Sequence, residues 1–323
     1  MLYSERILIF GGTGSLGTAL TERYISNNEI YVYSRDEAKH WSLKIKFNDS
    51  NLNFIIGDVF NKKKVENSLL RVNPDIVIIA AAMKHVDQCE INAEQCINTN
   101  LIGTKNILDS IESYKDRLNV KSVVFISTDK ACSPINTYGM AKAISEQLVI
   151  EKALYVKDVR FMNVRYGNVL NSNGSIIPFL HKIGKDSQYD AFPLTDYNMT
   201  RFVMTLDQSV DLIEYAITKG DSGDTIVPEL ISMRVLDLME LFSEKYKKPV
   251  RVTGLRPGEK MMESLINETQ SGRVVILNKY YHIKSIYGCK SPIDISKIHD
   301  YNSKMNPLTK DELKEYLLKF SLL

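Results

Sequence analysis

Near the middle of the chain, a short segment holds side chains that can accept and donate protons. Tyr138 and Lys142 are four residues apart, so they share one face of a predicted helix. A lysine ammonium there would lower the pKa of the tyrosine phenol and make it a usable base near neutral pH. Upstream of this pair, Thr128, Asp129 and Lys130 carry a hydroxyl, a carboxylate and an amine. We therefore predict a proton-transferring catalytic site centred on Tyr138 and Lys142, with Thr128, Asp129 and Lys130 as further candidate residues.

Apolar, β-branched runs are the elements that must position these side chains. They are separated by intervals long enough for a helix, which indicates a parallel sheet covered on both faces. One run ends directly before Thr128, so the catalytic segment follows a strand. The runs occupy residues 7–10, 30–33, 53–56, 76–80, 123–127 and 159–164. The predicted fold class is α/β, with a doubly wound parallel sheet.

The regular alternation ends near residue 166, and Gly, Pro and Asn become frequent. Apolar residues at helical spacing predict helices over residues 207–218 and 235–247. Thr309 and Glu312 form a capping-box pattern, which predicts a last amphipathic helix. We predict a large domain of residues 1–166, to which residues 194–226 return, and a smaller C-terminal α/β domain of residues 167–193 and 227–323.

A glycine-rich turn lies between the first strand and the helical segment that follows. Glycines there let the backbone approach a pyrophosphate, and the helix directs its free N–H groups at that anion. The strand, turn and helix context therefore predicts a dinucleotide site. Its contacts are assigned to Gly11, Thr13, Gly14, Ser15, Leu16 and Gly17.

The end of the second strand predicts which dinucleotide binds. An acidic residue usually holds the ribose of NAD at this place, but Ser34 stands here. Arg35 and Lys39 offer positive charge to a 2′-phosphate. NADP is therefore favoured, and the nearby Asp36 keeps NAD as the alternative. Further cofactor contacts are predicted for Asp58, Val59, Ala80, Ala82, Lys84, Ser127, Tyr138 and Lys142.

With these motifs in place, the chain resembles the extended short-chain dehydrogenase/reductase family, which combines a Rossmann domain, a strand-end Ser or Thr and Tyr-x-x-x-Lys. Within that family, Thr128-Asp129-Lys130 is similar to the inverting UDP-N-acetylglucosamine 4,6-dehydratases. The dTDP-glucose and GDP-mannose dehydratases carry Glu in place of this Lys. Further matching stretches are residues 34–37, 82–86, 99–104, 166–169, 199–202 and 256–260.

This resemblance implies an NADP-dependent lyase that removes water from UDP-N-acetylglucosamine with inversion at C5, for polysaccharide or glycan sugar synthesis. Tyr138 would remove the C4 hydroxyl proton, Lys130 the C5 proton, and Asp129 would protonate the departing C6 hydroxyl. Lys130 then needs a pKa that is lowered by burial or by a neighbouring cation such as Lys84 or Lys142. The C-terminal domain would bind the UDP-sugar, with contacts from Lys84, Asn168, Arg201, Arg256 and Glu259.

Several alternatives stay open. A nucleotide-sugar 4-epimerase or 4-ketoreductase would use Tyr138 and Lys142 and leave Asp129 and Lys130 as an idle ion pair. A cofactor-sensing protein would bind NADP without turnover. A retaining dehydratase would keep the configuration at C5.

The amino-acid composition further restricts the kind of protein that this chain can be. Hydrophobic residues make up 44%, charged residues 25%, and the net charge is +2, so the basic field of a nucleic-acid-binding protein is not expected. No apolar run is long enough for a membrane helix, and the first residues do not resemble a signal peptide, so a cytoplasmic protein is expected. The family resemblance adds the expectation of a homo-oligomer. Scattered histidines predict no metal site, while Trp41 and Cys132 are predicted to pack in the interior. The cysteines lack paired spacing and are predicted to be reduced thiols: Cys89, Cys96, Cys132 and Cys289.

Overall fold

The computed structural model describes residues 2–287 and 300–323. In its first half, each predicted apolar run coincides with a strand to within one residue at either end. The elements are β1 (Arg6–Phe10), α1 (Ser15–Tyr24), β2 (Glu29–Ser34), α2 (Glu37–Phe47), β3 (Leu52–Ile56), α3 (Lys62–Val72), β4 (Ile76–Ile79), α4 (Val86–Ile91), α5 (Ala93–Ile97), α6 (Gly103–Ser113), β5 (Ser122–Ile126), α7 (Thr137–Tyr155) and β6 (Arg160–Val164).

The second half has shorter strands and less regular connections. The predicted helices over residues 207–218 and 235–247 are present, and each end differs from the predicted one by at most one residue. The elements are β7 (Asn168–Val169), α8 (Ile176–Lys185), β8 (Phe192–Leu194), β9 (Thr200–Met204), α9 (Leu206–Lys219), β10 (Thr225–Pro228), β11 (Ile231–Arg234), α10 (Val235–Tyr246), β12 (Val250–Val252), β13 (Ser264–Ile266), α11 (Glu268–Ser271), β14 (Val274–Leu277), β15 (Tyr280–Ile283), β16 (Tyr301–Asn302), β17 (Pro307–Leu308) and α12 (Lys310–Lys319).

The main sheet has the order β14-β15-β10-β6-β5-β4-β1-β2-β3. Strands β1 to β6 and β10 pair in parallel, whereas β15 and β14 are antiparallel additions at one edge. The chain reverses direction along the sheet between β1 and β4, and ligands bind in the crevice at such a point. The predicted doubly wound α/β fold is confirmed.

Both faces of this sheet are covered, because alternate strand residues pack against helices on opposite sides. Ile7 and Ile9 of β1 join a cluster with α1 and α9, and Leu8 and Phe10 join a cluster with α3, α6 and α7. All four side chains are fully buried. The strands are therefore apolar throughout, as a doubly covered parallel sheet requires.

The C-terminal region builds its own core around the sheet β17-β11-β9-β7 and helices α8, α10 and α12. Thr309 accepts a hydrogen bond from the Glu312 backbone, and the Glu312 side chain accepts one from the Thr309 backbone. The predicted capping box is therefore present at the start of α12.

Sheet membership departs from the predicted domain boundary at two places. Strands β14 and β15 fall in the range assigned to the smaller domain, yet they extend the main sheet. Strand β9 falls in the range that returns to the large domain, yet it pairs with β11 in the smaller sheet. In the part of the chain described here, no helix is both long and apolar enough to cross a membrane.

The packing predictions have mixed outcomes. Cys132 is buried, but Trp41 is 62% exposed, so its predicted place in the interior is wrong. Helix α2 turns His40 and Leu43 inward, and the next residue along a helix from an inward-facing one points to a different side. Cys89, Cys96 and Cys132 are buried free thiols, whereas Cys289 lies outside the described residues.

Candidate active site

A cleft of about 1510 Å³ lies over the carboxyl ends of the parallel strands. All residues predicted to contact cofactor or substrate line it, so residues from both regions of the chain meet there. Of the predicted catalytic residues, Thr128, Lys130, Tyr138 and Lys142 line the cleft, whereas Asp129 is fully buried behind them. The volume exceeds that of an ordinary small-molecule pocket, which leaves room for two ligands.

The glycine-rich turn forms one end of the cleft, and its glycines are sterically required. Gly11 has φ +84°, and a side chain there would come within 2.6 Å of the Ala81 backbone nitrogen. Gly14 precedes α1 without a side-chain cap, so the first N–H groups of the helix are left for an anion. The residues present therefore fit the pyrophosphate of a dinucleotide.

Gly17 and Gly14 give a matched pair of variants in this turn. A Cβ on Gly17 would lie 2.3 Å from the Gly12 carbonyl oxygen, whereas one on Gly14 would meet its nearest neighbour at 3.5 Å. We expect Gly17→Ala to lower the free energy of unfolding by about 1–3 kcal/mol, because the turn must move apart. Gly14→Ala should leave it unchanged in the same denaturant titration. Equal stabilities for the two variants would contradict this steric account.

Cations at the end of β2 are held by carboxylates on the surface. Arg35 Nη1 lies 3.3 Å from Asp58 Oδ2, and Lys39 Nζ lies 2.9 Å from Asp36 Oδ2. The Arg35 and Lys39 side chains are more than half exposed, and exposed ion pairs of this kind are weak. Both cations are therefore available to a phosphate that reaches this end of the cleft.

The loop that follows β7 covers the glycine-rich turn. The Asn173 backbone N–H donates to Ser15 Oγ at 2.8 Å, and the Lys84 ammonium donates to the Asn173 carbonyl. The main chain around Asn173 therefore already contacts two residues predicted to bind cofactor.

Three consecutive residues after β5 form the centre of the cluster. Asp129 Oδ1 accepts hydrogen bonds from Thr128 Oγ1 at 2.9 Å and from Lys130 Nζ at 3.0 Å. A 3-10 turn at Asp129–Ala131 produces this arrangement by directing the hydroxyl and the amine towards one carboxylate oxygen. Asp129 therefore orients both neighbours from behind the cleft wall.

Burial dominates the ionisation of the predicted Tyr138 and Lys142 pair. Desolvation raises the pKa of Tyr138 to about 12, although the Lys130 charge and the nearby Thr128 hydroxyl lower it. Desolvation lowers the pKa of Lys142 to about 7, and its amine lies 3.8 Å from the centroid of the Phe125 ring. The expectation that Lys142 gives Tyr138 a low pKa is wrong for the protein without ligands, because both groups lose their water.

Lys130 departs from its expected ionisation too. Burial lowers its pKa, but Asp129 and Glu263 at 3.0 and 3.5 Å outweigh burial and raise it. The expected lowering of the Lys130 pKa is therefore wrong, because the groups next to the amine are carboxylates and not Lys84 or Lys142. At neutral pH the free protein holds Lys130 as an ammonium.

The residues predicted to contact the substrate differ in exposure and in the hydrogen-bond partners that they already have within the protein. Arg201 is buried and donates to the carbonyls of Thr200, Lys260 and Met261. The hydrogen bonds from Arg201 to Lys260 and Met261 thus hold the loop of residues 256–260 in place. Arg256 is exposed and forms a two-point ion pair with Glu259, so it is the arginine better placed for an incoming diphosphate. Their roles, and that of Asn168, stay predictions.

Two functional features were missed by sequence reasoning. Glu263 lines the cleft beside Lys130, and its position as the one charged residue in Met-Met-Glu-Ser-Leu-Ile could have indicated a buried carboxylate. Behind the cluster, Arg165 and Glu146 form a fully buried ion pair, and Glu146 Oε1 accepts a hydrogen bond from Ser127 Oγ. Neither residue stands out from its neighbours in the sequence.

Comparisons with known proteins cover nearly the whole chain. The family described as polysaccharide biosynthesis protein matches residues 7–285. A UDP-glucose 4-epimerase of Rickettsia bellii (strain OSU 85-389) is 37% identical over 339 residues, which is 98% of this chain and 96% of the relative.

Solved structures show the same fold. The X-ray structure of Pen from Bacillus thuringiensis has a TM-score of 0.91 and 32% identity, with 99% of both chains covered. DesIV, a dTDP-glucose 4,6-dehydratase from Streptomyces venezuelae determined with NAD and TYD bound, has a TM-score of 0.69 and 19% identity over 79% of this chain and 86% of that chain. At that identity, DesIV is similar in fold alone.

Proposed function

This chain belongs to the polysaccharide biosynthesis protein family, and we propose that within it the chain is an NADP-dependent UDP-N-acetylglucosamine 4,6-dehydratase that inverts C5. The family, the curated relatives and the fold indicate a nucleotide-sugar-modifying enzyme of the short-chain dehydrogenase/reductase type. The product would be a UDP-2-acetamido-2,6-dideoxy-L-arabino-hexos-4-ulose. The dehydratase assignment depends on the chemistry of the cleft.

One observation carries this proposal. An amine, Lys130, lines the cleft beside Tyr138 and is fixed by the buried Asp129. Epimerisation at C4 needs only a group that exchanges the C4 hydroxyl proton, so it leaves Lys130 without a task. Removal of water across C5 and C6 needs a second base at C5.

The proposed roles follow the positions of the side chains. A bound nicotinamide supplies the oxidation at C4 and the reduction at C6. Tyr138 exchanges the C4 hydroxyl proton, with Thr128 as its hydrogen-bond partner. The C4 ketone makes the C5 hydrogen acidic, and Lys130 removes it. Lys142 lies on the Tyr138 side of the cleft, where we assign it to the nicotinamide ribose.

Lys130 must lose a proton before it can act. The Asp129 carboxylate in contact with it, at 3.0 Å, is the direct acceptor. A proton on Asp129 would also remove the negative charge that raises the Lys130 pKa. The charges of Asp129 and Glu263 therefore both favour the ammonium form of Lys130.

The preference for NADP is part of the proposal and gives a direct prediction. We expect Arg35→Ala to weaken NADP binding by about 10- to 100-fold, the effect of one lost hydrogen bond to a charged group. NAD binding should change little, because NAD lacks the 2′-phosphate. Titration calorimetry with both cofactors measures this, with Lys44→Ala, an exposed lysine later on α2, as the control. Equal losses for NADP and NAD would contradict the assignment.

The function itself is tested by incubating the purified protein with NADP and UDP-N-acetylglucosamine in deuterated water. We expect a product that has lost one water and carries deuterium at C5, with NMR couplings of the L-arabino configuration. Mass spectrometry and NMR report these features separately. An isomer of unchanged mass would contradict the proposal.

A 4-epimerase is the second candidate, since curated relatives at 37% identity carry the name UDP-glucose 4-epimerase. That reaction would interconvert gluco and galacto sugars without loss of mass. It would also be insensitive to substitution of Lys130. The same incubation with UDP-glucose and with UDP-N-acetylglucosamine distinguishes the two candidates.

A further inference from the structure

One buried histidine next to the predicted 2′-phosphate contacts has no part in the proposed reaction. His40 lies on α2 and is only 5% exposed. Ser34 lines the cleft, whereas His40 lines a separate hollow of about 450 Å³ between α2 and β3. The two side chains meet, with His40 Nε2 2.8 Å from Ser34 Oγ. His40 therefore contacts a residue predicted to bind the cofactor from outside the cofactor cleft.

The surroundings of the imidazole indicate which of its nitrogens carries the proton. Burial lowers the pKa of His40, and the charges of Asp36 and Glu37 oppose this only in part. The ring is therefore neutral at neutral pH and has a single N–H group. Nδ1 is buried, and none of the described residues forms a hydrogen bond with it. Buried N–H groups without an acceptor are rarer in folded proteins than buried acceptors without a donor, so the proton is favoured on Nε2, where Ser34 Oγ accepts it.

This hydrogen bond sets the direction of the Ser34 hydroxyl. Ser34 Oγ also accepts a longer hydrogen bond, at 3.4 Å, from the Asp36 backbone N–H. A hydroxyl has two lone pairs and one proton, so with both lone pairs occupied its proton is left for an acceptor in the cleft. A phosphate group offers acceptor oxygens, whereas the 2′-hydroxyl of NAD can donate as well as accept. A Ser34 hydroxyl that is held as a donor therefore favours a 2′-phosphate.

We propose that His40 is a positioning residue that favours NADP over NAD by holding the Ser34 hydroxyl as a hydrogen-bond donor to the 2′-phosphate. This role rests on the NADP preference in the proposed function. It adds a directional hydrogen bond to the positive charges of Arg35 and Lys39, which are more than half exposed and paired with surface carboxylates. Charge attracts the phosphate, and the fixed hydroxyl distinguishes it from a ribose hydroxyl.

Cofactor binding by a variant without the imidazole tests this role. His40→Phe keeps a ring against Phe54, whose centroid lies 5.1 Å from that of His40, but it has no N–H group to donate. We expect NADP binding to weaken by about 10-fold, the effect of one hydrogen bond. NAD binding should change little, because its 2′-hydroxyl suits either orientation of Ser34. Titration calorimetry measures both cofactors, and equal weakening of the two, or unchanged NADP binding, would overturn the proposal.

Two further variants separate this role from a merely structural one. His40→Gln carries an amide that can donate near the Nε2 position, so it should restore most of the NADP affinity that His40→Phe loses. If His40 acts through Ser34, His40→Phe weakens NADP binding no further once Ser34→Ala has removed the hydroxyl. A Gln variant as weak as the Phe variant, or additive losses in the double variant, would contradict the proposed role. His181→Phe removes a partly buried imidazole on α8 that bonds to Tyr246, and as the control it should bind both cofactors as the wild type does.

The wild-type protein gives an independent measurement. The nitrogen NMR shifts of an imidazole report which ring nitrogen carries the proton, and the His40→Gln spectrum identifies the His40 signals. We expect the proton on Nε2 at neutral pH, with and without NADP, and a proton on Nδ1 in the NADP complex would overturn the proposal. Failure of the proposed function looks different. Wild type that bound NAD as tightly as NADP would show that the cofactor preference is wrong, and loss of the dehydratase assignment would leave the binding results unchanged.

Discussion

We expect Lys130→Arg to slow water loss from UDP-N-acetylglucosamine by about 1,000-fold, while the protein should stay folded and still oxidise C4. General acid–base groups contribute on this scale. Arginine keeps the positive charge between Asp129 and Glu263, so the ion pairs at 3.0 and 3.5 Å are retained. It cannot accept a proton from carbon, because a guanidinium is not deprotonated in proteins.

Two measurements separate the steps of this experiment. The absorbance of reduced nicotinamide follows C4 oxidation, and mass spectrometry follows water loss. Lys62→Arg, an exposed lysine at the start of α3, is the control for the exchange of a lysine for an arginine. Water loss at the wild-type rate in Lys130→Arg would remove the basis for a dehydratase and favour the 4-epimerase.

Features that depend on neighbouring residues in the chain could be predicted from sequence. Strands β1 to β6, the glycine-rich turn and the Thr309 cap each need only a local pattern, and each is found at the expected place. Tyr138 and Lys142 belong to this group, because four residues in one helix set their relation. The relative placement of side chains within a short segment is therefore predictable before their surroundings are known.

Features that depend on distant parts of the chain could not be predicted. Glu263 lies between the Arg256–Lys260 loop and β13, and only the closure of the smaller region over the main sheet brings it to Lys130. The pairing of the edge strands β14 and β15 with the main sheet could not be predicted for a similar reason, because strand pairing is a long-range contact.

Ionisation was the least predictable property. The role of Lys130 as a base requires a pKa lowered by burial or by a neighbouring cation such as Lys84 or Lys142, so a lowered pKa is expected from the sequence. In the structure, two carboxylates contact its amine and raise the pKa. The sign of such a shift depends on which charge is nearest, and spacing along the chain does not determine this.

The ion pair behind the cluster leads to the prediction with the largest expected effect on stability. Arg165 donates from Nε and Nη2 to the two Glu146 oxygens at 3.0 and 2.5 Å, and from Nη1 to the Leu265 carbonyl and to Gln270 Oε1. It thereby ties β6 and α7 to the segment that carries Glu263. Arg165→Met should lower the free energy of unfolding by about 3–5 kcal/mol, because Glu146 is left as a buried charge without its counter-ion.

The double variant Glu146→Gln with Arg165→Met isolates the cause of this loss. Replacing the unpaired Glu146 carboxylate with an amide should recover part of the free energy of unfolding. Denaturant titration should therefore find the double variant more stable than Arg165→Met alone. Arg251→Met breaks an ion pair of similar length, 2.8 Å to Asp190, whose side chains are 64% and 75% exposed. It should leave the unfolding midpoint unchanged, because water and salt screen an exposed pair. If Arg165→Met and Arg251→Met were equally stable, the buried pair could not be what holds the Glu263 segment against the main sheet.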